Sequence, residues 1–217
     1  MNKVSEPAIV LNTCEVQEAD LIVTFLGKNL GKNTAFAKNA RLSKKRFSGG
    51  IDIFDCGVFE LNENRRHGGM FSLQAISRKE VWPELRKSLT KLSLASFCLE
   101  ITNCFTIEGD HDASSLFPPL FLSLRSLSNS PTDNESYAIV NYFALLTLKN
   151  CGYNLLDAAF ALSPVLHSWF EQMIDHRSPI VPPDDFLSLR GFERIAQYIE
   201  NTLGYPLNNT TSHWRGK

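Results

Sequence analysis

Up to about Lys79 the chain carries short apolar runs separated by turn signals. Ala8-Ile-Val-Leu11 is one such run; Leu21-Ile-Val-Thr-Phe-Leu26 is a second, rich in β-branched residues and ending at Gly27. Gly31 opens Asn33-Thr-Ala-Phe-Ala37, where polar and apolar positions roughly alternate. Ile51 to Leu61 alternates more clearly, with Ile51, Ile53, Phe59 and Leu61 as candidates for a common face, and Met70 to Ile76 supplies a fifth run. Period-two patterning bounded by Gly49-Gly50, Asn62-Glu-Asn64 and Gly68-Gly69 predicts strands joined by turns. Five short strands with no helix-length pattern between them predict a small closed β-barrel of the oligonucleotide-binding (OB) type. A two-layer open sheet is the alternative, but its edges would need cover.

After Glu80 the period changes to that of a helix. Trp82, Leu85, Leu89, Leu92 and Phe97 step along one face, with Arg86, Lys87 and Lys91 off it. Leu116 to Leu127 is apolar, and its Pro118-Pro119 suits a helix start better than an interior. Pro131-Thr-Asp-Asn-Glu-Ser opens a helix over Tyr137 to Asn150 that Gly152 stops. Leu162 to Ile174 and Leu187 to Leu203 are further helical segments, with Gly204 and Pro206 ending the last. The fold class expected is therefore α+β: an OB-type five-stranded β-barrel domain over 1–80, then an α-helical bundle over 81–217.

Composition narrows the function classes. Of 217 residues 43% are apolar and 21% charged, so a packed core is expected and wholesale disorder is excluded. No run approaches the roughly 18–20 apolar residues needed to cross a bilayer. The first seven residues lack an apolar signal core, which predicts a cytoplasmic protein with no membrane partner. Five scattered cysteines in apolar surroundings, Cys14, Cys56, Cys98, Cys104 and Cys151, suit reduced, buried thiols.

Charge adds a local signal. The formal net charge is only −1, yet Lys28 to Arg46 holds seven cations and no acidic residue, leaving −8 on the rest of the chain. The seven are Lys28, Lys32, Lys38, Arg41, Lys44, Lys45 and Arg46. A dense positive field on an otherwise acidic protein suits a polyphosphate backbone; a solvated basic loop is the plainer reading. Placed on the predicted barrel, Lys32 and Lys38 flank the third strand, and Arg41 to Arg46 lead toward the fourth. Such cations follow phosphates without reading base edges. Phe36 and Phe47 sit among them. Phe36 is expected to point into the barrel, whereas Phe47, before Ser48-Gly49-Gly50, is the candidate for base stacking. Arg65 and Arg66 at a hairpin tip would extend the groove or simply be solvated.

The order of several blocks carries a family resemblance. Ala8-Ile-Val-Leu-Asn-Thr13, Glu18-Ala-Asp-Leu-Ile-Val-Thr24, Gly31-Lys32, Ala37-Lys-Asn-Ala-Arg41 and Ser43-Lys-Lys-Arg-Phe-Ser-Gly-Gly50 together resemble the N-terminal barrel of the bacterial RecO recombination mediators. Tyr142-Phe-Ala-Leu-Leu-Thr-Leu-Lys-Asn-Cys-Gly-Tyr153 is similar to that family's helix ending in Gly-Tyr, and Gly204-Tyr-Pro-Leu207 to its Gly-x-Pro-Leu exit. The resemblance is strong over 7–80 and thin over 137–207. It implies a non-enzymatic DNA repair and recombination protein that binds single- and double-stranded DNA and anneals complementary strands. With RecR and the single-strand binding protein as partners, it would help load the RecA recombinase. Alternatives of other classes are a protein–protein adaptor of that pathway with little DNA affinity, and an RNA-binding OB barrel.

Three departures qualify it. Many family members carry a four-cysteine zinc site after the Gly-Tyr helix, but Asn154 to Pro164 contains no cysteine, so neither zinc nor another cofactor is expected. Asn208-Asn-Thr-Thr-Ser212 stands where a basic tail is usual, and Asn141 and Tyr142 stand where the helix usually has arginine. Other chemistry is not supported. Glu108-Gly-Asp-His-Asp112 groups types that bind Mg²⁺ or Mn²⁺, but a solvated acidic loop between helices is the expectation. None of the five histidines falls in a nucleophile motif, and there is no P-loop, Gly-x-Gly-x-x-Gly or His-Glu-x-x-His. No catalytic site is expected.

Overall fold

The first strand, β1 (Lys3–Val16), is long enough to serve two neighbours. Its first half pairs antiparallel with β4 (Cys56–Glu63), from Lys3 opposite Asn62 to Ile9 opposite Cys56. Its second half pairs with β2 (Asp20–Gly27), from Ala8 opposite Gly27 to Val16 opposite Asp20. The register slips between Val10 and Asn12, and the extra residue bends the strand so that it can turn from one partner to the other. A tight turn leads from β2 to β3 (Gly31–Ala37). β3 closes the sheet in parallel onto β5 (Phe71–Glu80), with Ala35 opposite Phe71 and Phe36 opposite Ser72. The closed order β1-β2-β3-β5-β4 is that of the expected OB barrel. This is a computed structural model; it describes residues 3–43, 45–47, 49–63, 69–157 and 162–208.

The barrel core follows from strand parity. Ala8 and Val10 from β1, Val23 and Phe25 from β2, Ala35 and Ala37 from β3, Phe59 and Leu61 from β4, and Leu73 and Ile76 from β5 fill the interior. Phe25 and Phe59 meet there with ring centroids 5.6 Å apart, and the small Ala8, Ala35 and Ala37 share the interior with them, a mix of large and small that a narrow barrel needs. The loop after β3 adds Ala40, Phe47 and Ile51 to the same cluster.

The sequence expectation differs from the structure at 51–55. That stretch alternates like a strand, but β4 starts only at Cys56. Asp55 accepts the Asp52 amide through Oδ2 (3.0 Å), and Asp52 accepts the Ile53 amide through Oδ1 (2.8 Å). These aspartate turns offer the backbone a local partner and win over the apolar alternation. Arg78 on β5 locks the knot, donating from Nε to Asp55 Oδ1 (2.8 Å) and from Nη2 to Oδ2 (2.7 Å), and also to the Gly50 carbonyl. The hydrogen bonds to Asp55 push the Arg78 guanidinium pKa above its ordinary value.

Among the described residues five α-helices follow: α1 (Leu89–Phe105), α2 (Phe117–Asn129), α3 (Asp133–Asn150), α4 (Pro164–His176) and α5 (Asp185–Leu203). Their starts carry side-chain caps: the Thr132 hydroxyl accepts from the Glu135 amide, Ser163 from Leu166 and Asp184 from Phe186. α3 packs on α1, α4 and α5. It is buried over most of its circumference, including the polar Ser136, Asn141 and Thr147, as expected of a central helix. Asn141, at a position where the resemblance led one to look for arginine, donates from Nδ2 to the Ser188 carbonyl at 2.8 Å. It serves helix packing and is fully buried. Among the described residues no helix is long and apolar enough to cross a membrane.

The chain divides into two compact units. One comprises Met1–Val81 with Thr106–Pro118, the other Trp82–Phe105 with Pro119–Lys217. Residues 106–118, which the expected boundary near residue 80 places in the helical domain, group with the barrel.

Candidate nucleic-acid interface

The β2–β3 turn is organised by a buried carboxylate. Glu6 on β1 is 2% exposed. Its Oε1 accepts the amides of Asn29 (2.6 Å) and Leu30 (3.1 Å), and its Oε2 accepts Asn29 Nδ2 (3.1 Å). Three donors on one carboxylate offset the cost of burying its charge. Lys28, whose amide donates to the Pro7 carbonyl (2.8 Å), stands exposed on the turn so formed.

The adjacent end of β3 is covered by the returning segment. Lys32 donates from Nζ to the Thr106 carbonyl (3.0 Å), and the Gly109 amide donates to the Lys32 carbonyl (2.9 Å). Thr34 donates its hydroxyl to Glu108. His111 Nδ1 lies 3.3 Å from the Asn29 carbonyl oxygen. Gly31, at φ +66°, leaves the space into which the Asp110 carbonyl fits, since a Cβ there would lie 2.0 Å from that oxygen. The acidic group Glu108 to Asp112 is exposed, as expected of a solvated loop between helices, but its backbone and Glu108 are tied to β3. Lys32 is half-buried and engaged as a staple.

The remaining cations lie at the other end of β3. Its seven residues span about 23 Å at ~3.3 Å per residue, so the basic stretch is split into two places rather than spread along one groove. The loop after β3 is pinned at both ends. Asn39, with φ +52°, gives its amide to Asp20 Oδ1 (2.7 Å), and the Arg41 amide bonds to the Ala19 carbonyl (3.1 Å). Arg41 Nη1 pairs with Glu15 Oε2 at 2.9 Å. Arg46 donates from Nη2 to the Lys38 carbonyl (2.6 Å) and lies over the Phe47 ring, 5.1 Å from its centroid. Lys38 and Lys45 are exposed, and among the described residues their amines have no partner; the same holds for Lys28. Lys44 lies outside the described residues, as do Arg65, Arg66 and the tail after Asn208.

The two phenylalanines exchange the roles expected of them. Phe47 is 1% exposed and belongs to the barrel core, with Arg46 over its ring, so no base can stack on it in this arrangement. Phe36 lies between the inward-facing Ala35 and Ala37, and strand parity turns it to the outer surface, where it is half-exposed. The sequence signal was present: once both alanines are assigned to the core, Phe36 has to face out. Phe36 sits opposite Ile22 on β2 and Ser72 on β5. Among the described residues no three histidine, cysteine or carboxylate side chains are grouped to hold a metal ion.

Comparison with known proteins places this barrel in a group. Residues 1–80 match the family model described as Recombination protein O N terminal. The chain is 31% identical to the DNA repair protein RecO of Desulfatibacillum aliphaticivorans over 186 residues, 84% of this chain and 71% of that one. It is 34% identical to DNA repair protein RecO of Syntrophus aciditrophicus over 146 residues, 66% of this chain and 54% of that one. With the protein of the same name from Desulfosudis oleivorans it shares 31% identity over 144 residues, 66% and 55% of the two chains. The matches thus span from about half to seven-tenths of these relatives' length. A closed five-stranded barrel, the family match over residues 1–80 and the first relative's coverage agree: this chain belongs to the RecO family.

Proposed function

We propose that this protein acts in DNA repair and recombination by binding single- and double-stranded DNA through the pinned loop Lys38–Arg46, and that it anneals complementary strands. With RecR and the single-strand binding protein it helps load the RecA recombinase. The role is one of binding, without catalysis, and its place is the cytoplasm. The observation that carries the reading is the loop itself: bonded to the barrel at Asn39 and Arg41, it presents Lys38 and Lys45 to solvent with no partner among the described residues. Neutralising phosphates on two strands removes the repulsion that keeps them apart. Lys44 belongs to this contact by sequence, and Arg41 and Arg46 contribute the donors left over from their internal bonds. Lys28 is a separate phosphate contact at the far end of β3; Lys32 and Phe47 serve the fold.

The test is annealing of complementary oligonucleotides coated with single-strand binding protein, at two salt concentrations. Salt-sensitive acceleration is expected. Lys38→Ala with Lys45→Ala should make the slope of log K against log salt shallower by about 1.4 on a single strand, at ~0.7 per phosphate contact. An unchanged slope would remove the loop from the interface. A second reading, an adaptor of the same pathway with little DNA affinity, is favoured by the internal commitments of Lys32, Arg41 and Arg46. It predicts no acceleration while binding to the coating protein is retained.

A further inference from the structure

The loop from Lys38 to Arg46 contains two apolar residues, and the fold treats them oppositely. Ala40 is buried in the barrel core, whereas Leu42 is 74% exposed. The turn that carries Leu42 is fixed on both sides. The Leu42 amide donates to the Asn39 carbonyl (3.3 Å), the Arg41 amide to the Ala19 carbonyl, and Arg46 reaches back to the Lys38 carbonyl. Ala40 before it and Phe47 after it are both buried, so the tip is held out by residues that the core already claims. A tight turn prefers glycine, asparagine or serine at such a place, and leucine contributes nothing to the turn itself. Lys38, Arg41 and Lys45 lie within four residues of it in the sequence.

We propose that Leu42 is a wedge that enters between two neighbouring bases of a bound DNA strand. The inference rests on the DNA-binding reading above. Cations that draw the phosphates of a strand to this loop bring its bases against whatever projects between them, and here that is an aliphatic side chain. Apolar wedges set among basic residues separate stacked bases in this way, exchanging stacking for contact with the side chain. The wedge gives the loop a grip on bases that phosphate contacts lack, with no preference for sequence.

The experiment uses the full chain and short single strands that each carry 2-aminopurine at one position, a base whose fluorescence rises when it is unstacked. Binding of the unaltered protein should raise the signal at one or more positions. Leu42→Ala should abolish that rise and weaken binding roughly 3- to 10-fold, part of what burial of a leucine supplies, while the salt slope stays unchanged. Leu42→Met should keep the rise. Salt-dependent binding with no rise, or the same rise with Leu42→Ala, overturns the wedge and leaves the DNA reading standing. Absence of any binding at low salt overturns both.

Discussion

Gly31→Ala tests whether the segment 106–112 is part of the barrel. Two costs arise at this position. Gly31 has φ +66°, and an alanine there carries left-handed strain of about 1–2 kcal/mol. Its Cβ would also lie 2.0 Å from the Asp110 carbonyl oxygen, so one of the two backbones must retreat by about an ångström to restore contact at van der Waals distance. Retreat of the segment breaks the bonds that hold it: Gly109 amide to Lys32 carbonyl, Lys32 Nζ to Thr106 carbonyl, and the Thr34–Glu108 pair. At ~0.5–1.5 kcal/mol for each net hydrogen bond, the three bonds and the strain together cost about 2.5–6.5 kcal/mol. Gly109→Ala is the control, because it has φ +79° and open space around its would-be Cβ. It should cost the strain alone. Because the chain forms two compact units, a single unfolding midpoint would mix them. Amide hydrogen exchange at Asn29, Leu30, Gly109 and Asp110 reads the barrel directly. Equal loss of protection in the two variants would refute the packing of this segment on β3.

Glu6→Ala should cost about 2–3 kcal/mol, because the amides of Asn29 and Leu30 lose a shared acceptor at the β2–β3 turn; a denaturation series followed by exchange at those amides checks it, and a loss below about 0.5 kcal/mol would contradict the clamp. Burial, with Glu80 and Asp55 adding to it, pushes the Cys56 thiol up to about 12 from 9.0. A thiol whose pKa is raised in the folded state contributes stability that is intact below its unfolded value and lost as pH rises through the folded one. The barrel should therefore weaken between pH 9 and 12, and Cys56→Ser should flatten that part of the profile in exchange-detected unfolding. In the native protein near pH 8 Cys56 should resist a thiol reagent while the exposed Cys14 reacts.

How far the chain could be read depended on whether the signal was local. β2 was legible because its run is β-branched and bounded by Gly27, and the opening of α3 because Pro131-Thr132 stands before its run, whereas α4 was placed from Leu162, ahead of its Ser163 cap. β1 was seen only as 8–11, whereas it runs from Lys3 to Val16. Its ends are polar because they face solvent, and their hydrogen bonds, not their side chains, make them strand. At 51–55 apolar alternation pointed to a strand, yet the decisive residues were the two aspartates and a distant Arg78. The site divided in the same manner. A stretch of cations is visible in any sequence, but which ones are engaged depends on contacts such as Lys32 with Thr106, 74 positions away. No periodicity encodes that pairing. Phe36 was different: the alanines on either side of it contained the answer.

The barrel unit is interrupted in the sequence: residues 82–105 intervene before Thr106–Pro118 rejoin Met1–Val81. During synthesis the first eighty residues therefore leave the ribosome without the piece that takes up Lys32 and Thr34 and fits against Gly31. The OB barrel reaches its final form only after α1 has been made and residue 118 has emerged. A gene fragment cut at the apparent boundary near residue 80 would express a barrel with its β2–β3 edge bare, its lysine amine untied and its glycine facing water. Such a fragment would bind polyanions more readily than the parent chain. Assigning the parent's affinity from it would credit the protein with a charge that the whole molecule spends on itself.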